Sequence, residues 1–153
     1  FEDRGRRFDE QLEALRAAWR GEPLPRTDHR VAPPLPDGRV PMMFGGEPRF
    51  AAPRAVRWNG GYTIGGAPPE QAAGAAEEFR RSYADLGGSG TPRIAALVYF
   101  SVGEEHTDES LRSLRSYYAF LGDWANMIAE AAARKPDDLP AFCRACIQVL
   151  VGA

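Results

Sequence analysis

Two pairs of glycines carry the first hint of chemistry in this sequence. The stretch VPMMFGGEPRF, Val40 to Phe50, is a short apolar run of strand type that stops at Gly45 and Gly46, and Tyr62-Thr63-Ile64 stops in the same way at Gly65 and Gly66. A residue without a Cβ lets backbone N–H groups approach an anion closely, and a helix starting just beyond adds its positive amino end. Such a turn suits a phosphate, although the same pattern also makes a plain tight turn between strand and helix.

The type of phosphate is narrowed by what is missing. GGEPRF lacks the third glycine of a dinucleotide fingerprint, and no acidic residue ends the next strand. There is no GK[ST] for a nucleotide triphosphate. A lone phosphate, such as that of a flavin mononucleotide (FMN), is the remaining fit.

Glu104-Glu105-His106, with Asp108, follows the third apolar run. A histidine beside carboxylates could act as an acid or base, which makes His106 a candidate catalytic residue; the alternative is a polar loop leading to a helix cap at Thr107 or Asp108. Cys143 and Cys146 form a single CxxC with no second pair and no nearby histidine, so they read as two reduced, partly buried thiols, and no metal site is expected. His29 lies in a proline-rich loop and is expected in solvent. Arg4, Arg6 and Arg7 sit among Glu2, Asp3, Asp9 and Glu10 and should form a surface salt network. There is no G-x-S-x-G nucleophile motif.

The elements that must position these residues follow from hydrophobic periodicity. Phe8, Leu12, Leu15 and Trp19 predict an amphipathic helix over Asp3 to Arg20, stopped by Gly21. Six prolines between Pro23 and Pro41 predict an extended surface connection. Val40 to Phe44, Tyr62 to Ile64 and Arg93 to Val102 lack alternation and predict strands covered on both faces. Between them, Pro48 to Trp58 predicts a helix kinked or delayed by Pro53, and Pro68-Pro69 opens a longer one with a stripe of Ala72, Ala76, Phe79, Tyr83 and Leu86. Leu111, Leu114, Tyr118 and Leu121 mark a further helix, Asp123 to Arg134 and Pro136 to Cys146 read as helical, and Ile147 to Val151 as a last strand. Trp19 and Trp58 are expected in packing roles.

Strands separated by helices predict an α/β protein with a parallel sheet, either an open doubly wound sheet or an arc of a (β/α)8 barrel. At 153 residues with 44% hydrophobic, 26% charged and net charge -2, one domain spanning 1–153 is expected, with no electrostatic footprint for nucleic acid. No apolar run reaches membrane-span length and no signal peptide opens the chain, so a cytoplasmic protein is expected. The first residue is Phe1, which points to a piece, a processed product or the ordered part of a longer chain.

Three blocks, in order, resemble the luciferase-like flavin-dependent oxidoreductases, relatives of bacterial luciferase and of deazaflavin-dependent reductases: RGRRFDEQLEALRAAWRGEP, VPMMFGG, and RAVRWNGGYTIGG, continuing to RIAALVYFSVG. The resemblance implies a (β/α)8 barrel of TIM type, with the chain matching roughly its second half, and a flavin-dependent oxidoreductase or monooxygenase. It implies FMN, or alternatively a deazaflavin, with its phosphate held at Gly45, Gly46 and the N–H of Glu47, and with Ile64, Gly65 and Gly66 as the other lip. NAD(P)H as reductant, a small organic substrate and a homodimer are further implications, and a non-catalytic half-barrel that self-associates or binds a ligand is the alternative. Departures are Gly60, where the family usually carries an aspartate, Pro53 in its helix, and the terminal CRACIQVLVGA.

Overall fold

A computed structural model describes residues 3–31, 33–101, 103–135, 138–141 and 143–144. The chain divides into two compact units, residues 1–41 and 42–153.

The first unit holds α1, Arg4–Trp19. Leu12 and Ala18 are buried, whereas Phe8 and Leu15 of the expected apolar stripe are 40% and 47% exposed. Arg6 pairs with Asp3 at 3.3 Å and with Glu10 at 2.6 Å, so the salt network expected around the arginines forms at this position. Gly21 turns the chain out of α1 at a φ of +77°, a conformation that favours glycine. The proline-rich connection is largely exposed, His29 included, and is pinned by a hydrogen bond from Leu35 N–H to the Trp19 carbonyl at 2.9 Å.

The second unit carries a three-stranded parallel sheet, β1 (Met43–Phe44), β2 (Gly61–Ile64) and β3 (Ile94–Ala96), with strand order β1-β2-β3. Met43 pairs with Gly61, Phe44 with Tyr62, and Tyr62 in turn with Ile94. Two helices make the crossovers, α2 (Pro48–Trp58) and α3 (Pro69–Asp85), and they pack on each other as well as on the sheet. The sequence places a proline in the first turn of each, where a missing N–H costs nothing. The helix α2 starts at Pro48 without the delay that Pro53 suggested, and it runs through that proline to Trp58.

Alanine makes this packing possible. Ala51, Ala52 and Ala55 of α2 and Ala72 and Ala76 of α3 are buried, letting the helices approach closely, and among the described residues Phe79 is the large side chain sealed completely from solvent. Its ring stacks on Tyr62 of β2 at 4.6 Å and lies 5.9 Å from Tyr83. Phe44, Tyr62 and Ile64 therefore share the face turned toward α3, since alternate strand residues point the same way.

The opposite face corrects the expectation of strands covered on both sides. Ala95 is exposed and Leu97, which continues the ladder by donating to the Ile64 carbonyl at 3.0 Å, is 44% exposed. The absence of alternation in these apolar runs hid a sheet that α2 and α3 cover on one side. The strands are also shorter than expected: Pro41 has no N–H for a ladder, and Val40 is 38% exposed.

Beyond the sheet, a 3-10 turn at Glu104–His106 runs directly into α4, Thr107–Tyr117, without a side-chain cap from Thr107 or Asp108. A second 3-10 turn, Ala119–Leu121, leads to α5, Trp124–Glu130. The helix expected through Arg134 stops there. Ala133 instead forms a parallel bridge with Phe100, giving N–H to the Tyr99 carbonyl and taking N–H from Ser101, both at 2.9 Å. Residues 138–141 and 143–144 are helical, and Cys143 is a half-buried free thiol. Cys146 and the strand expected at Ile147 to Val151 lie outside the described residues.

Candidate functional site

Because β1 and β2 are parallel neighbours, their carboxyl ends lie side by side, and the two glycine turns with them. The register that sets Phe44 against Tyr62 puts Gly45 opposite Thr63, and a Cβ on Gly45 would lie 3.3 Å from the Thr63 methyl. Gly46 then leaves the sheet with a φ of +95°, and the space where its side chain would stand is open. Gly65 is likewise open, with nothing within 4 Å of an added Cβ. Among the described residues, no backbone carbonyl accepts a hydrogen bond from the N–H of Gly46, Gly65 or Gly66.

Gly66 has a different reason to be small. A Cβ there would sit 2.6 Å from the Tyr99 ring and 3.4 Å from Ile128 of α5. It lets Tyr99 lie over the end of β2. Gly60 is also closely packed: a Cβ there would meet the Phe44 ring at 2.8 Å and the Met42 carbonyl at 2.9 Å.

The Gly46 turn is held from beneath. Tyr62, rooted by its stack on Phe79, sends its hydroxyl to the Gly46 carbonyl at 2.9 Å. Burial, with the Glu78 charge adding to it, raises the Tyr62 pKa above its ordinary value, so the hydroxyl stays a donor across the physiological range. No sequence motif marks this role. The usable signal was a tyrosine in the second position of a short buried strand, whose hydroxyl needs a partner when the ring is in a core.

Glu47, with φ -65° and ψ 137°, is the residue from which α2 starts. Its carboxylate does not cap the helix but pairs with Arg49 at 2.8 Å, both side chains being well exposed. Arg49 also lies over the Phe50 ring at 4.6 Å. Ile64, buried at the end of β2, anchors the other turn.

His106 stands on the third strand's connection to α4, not at the glycine turns. Its side chain is 62% exposed and its Nε2 lies 3.6 Å from Glu105. It lines an open groove together with Phe100, Glu109, Ser110 and Ser113. Nearby, the hydroxyls of Tyr99 and Tyr118 are in direct contact, and desolvation followed by this hydrogen bond pushes the Tyr99 pKa up to about 12. No cluster of three or more metal-ligating side chains occurs among the described residues, and none of their helices is long and apolar enough to cross a membrane.

The profile of the luciferase-like monooxygenases matches residues 1–141. The chain belongs to the luciferase-like monooxygenase family. The resemblance read from the three sequence blocks is thereby borne out. Solved structures agree on the fold: monooxygenase RslO1 from Streptomyces bottropensis superposes with a TM-score of 0.60 at 18% identity, over 98% of this chain and 52% of that one. An F420-dependent secondary alcohol dehydrogenase, solved with an F420-acetone adduct, gives 0.63 at 18% identity, over 94% and 53%. This luciferase-like chain thus spans about half the length of the structures it resembles. No curated protein matches it.

Proposed function

We propose that this luciferase-like protein is a flavin-type oxidoreductase of the (β/α)8 barrel class, in which Gly46 and Gly65, on adjacent strand ends, receive the phosphate of FMN or, alternatively, of a deazaflavin. The observation that carries the reading is the pair of bare turns in a chain of this family. Neighbouring strands lie about 4.8 Å apart, so one phosphate can meet both turns. Gly46 offers an N–H with no backbone acceptor among the described residues and an open approach, and α2 starts immediately beyond. The residues fit the group.

In this reading the N–H groups of Gly45, Gly46 and Glu47 form one lip, Ile64 and Gly65 the other, while Gly66 serves the packing of Tyr99. When bound, the flavin or deazaflavin would supply the hydride or oxygen chemistry, NAD(P)H being the reductant proposed for FMN. The chain's own work is to fix the phosphate, with Tyr62 holding the turn from below. The barrel reading is supported by three strands in chain order whose crossover helices share one face, the arrangement that right-handed crossovers produce when winding proceeds in one direction. A small organic substrate, a homodimer and a cytoplasmic setting complete the proposal.

The test is titration of the purified protein with FMN and with a deazaflavin, followed by flavin fluorescence. Saturable binding that is lost in Gly46→Val is the expected result. Failure of both cofactors to bind would overturn the reading and favour a non-catalytic, self-associating half-barrel, for which light scattering would show a discrete dimer; the exposed Leu97 face is what favours that second reading.

A further inference from the structure

A groove of about 410 Å³ opens where β3 runs out toward α4, on the same carboxyl-terminal rim as the glycine turns. Its volume falls in the range of roughly 300–1,000 Å³ typical of sites for small organic molecules. One side is aromatic, with Phe100 57% exposed, and Leu114 of α4 adds an apolar patch to the lining. The other is the face of α4 and the turn before it, where His106, Glu109, Ser110 and Ser113 recur at helical spacing. Ser110 is positioned by a hydroxyl contact with Ser101 at 3.2 Å. Tyr99, also on the lining, packs over Gly66 and so joins the groove to the end of β2.

The charges decide what such a groove accepts. Glu109 lines it, and Glu105 stands beside His106 at 3.6 Å. The Glu109 carboxylate on the lining, with that of Glu105 just behind His106, repels a ligand carboxylate and attracts an amine, while the serine hydroxyls and the imidazole can hydrogen-bond a neutral hydroxyl or carbonyl. An exposed aromatic ring gives a planar apolar body something to lie against.

We infer that this groove binds the organic reactant, an uncharged or cationic molecule with a planar apolar body, its polar end meeting His106 and the serines of α4. The inference rests on the oxidoreductase reading above for the role of the ligand, and on the groove alone for its chemistry.

Ligand-detected NMR titration of the chain with benzyl alcohol, benzylamine and benzoate tests it. The alcohol and the amine are expected to bind, with benzoate about ten-fold weaker because of the two carboxylates. Phe100→Ala should weaken the alcohol by about five-fold through loss of apolar contact. The amine should bind a few-fold tighter than the alcohol, and Glu109→Gln should narrow that gap, with Glu105 accounting for what remains. Both substituted side chains are exposed, and circular dichroism would confirm that the variants keep the fold. Benzoate binding as well as the alcohol, equal affinity in Phe100→Ala, or no binding of any probe would overturn the inference. FMN titrated in parallel separates the two proposals: FMN binding without probe binding rejects the groove alone, and probe binding without FMN binding rejects the phosphate turn alone.

Discussion

The Tyr62 hydroxyl donates to the Gly46 carbonyl at 2.9 Å while the same ring stacks on Phe79 at 4.6 Å. The candidate phosphate turn is therefore fastened to the centre of the core by one side chain. Its carbonyl faces the core, leaving the N–H side of the turn free for an anion.

Removing only the hydroxyl, by Tyr62→Phe, keeps the ring stack and should cost about 1 kcal/mol, the net worth of an ordinary hydrogen bond. The turn would lose its tether, so FMN affinity should fall more than global stability. Phe79→Ala attacks the same line at its root and should cost about 3–5 kcal/mol as a large cavity opens. Denaturant melts of both variants, set beside FMN titrations, check the split. Equal FMN affinity in wild type and Tyr62→Phe would show that the tether is irrelevant to the turn.

Glycine substitutions should separate strain from space. Gly65 has open surroundings and no positive φ, so Gly65→Ala is expected within about 0.5 kcal/mol of wild type, as for other unobstructed surface changes. Gly46→Ala meets no atoms but must adopt a φ of +95°, and should cost about 1–2 kcal/mol from backbone strain. Gly60→Ala drives a methyl against the Phe44 ring and the Met42 carbonyl and should cost about 1–3 kcal/mol by overpacking. Urea midpoints for the three variants give the ranking directly.

High pH provides an independent probe of the Tyr99–Tyr118 contact. The folded state holds Tyr99 protonated up to about 12, above its ordinary value near 10. Below that ordinary value both states keep the proton and stability is unaffected. As pH rises through 10 toward 12 the unfolded chain releases the proton first, so stability falls across that window. Tyr118→Phe removes the hydrogen bond but not the desolvation, so Tyr99 should titrate lower while staying above 10. Tyrosinate absorbance alongside circular dichroism would follow both effects.

How far the sequence disclosed this arrangement depends on the kind of information each feature uses. Helices α2 and α3 could be placed almost to the residue because Pro48 and Pro69 mark their starts and Asn59, Gly87 and Gly88 their exits. Local backbone chemistry fixes such boundaries. The sheet was less legible: Leu97 and Val98 read as strand interior, yet among the described residues the pairing of β3 with β2 is confined to Ile94–Ala96 and the Leu97 bond, because pairing depends on where β2 ends. Ala133 was hidden altogether, since its bridge to Phe100 joins residues far apart in the chain. In the candidate site, the glycine pairs announced themselves, but the different reasons for Gly46 and Gly66 emerge only when Tyr99 is seen to fill the space above the latter.

Glu47 and Arg49 give the last prediction. Their 2.8 Å pair is exposed on both sides, and such surface pairs contribute only about 0–1 kcal/mol. Glu47→Gln should therefore leave the melting transition nearly unchanged. Its effect on the proposed phosphate site should be larger, because it removes a like charge beside the incoming anion and releases Arg49 at the start of α2. FMN should bind a few-fold tighter at low ionic strength, with the gain fading toward 1 M salt as the Debye length shrinks to about 3 Å. Arg49→Gln should move affinity the opposite way. Fluorescence titrations at two salt concentrations would establish whether the two substitutions have these opposite signs; the same sign for both would place the phosphate away from this turn.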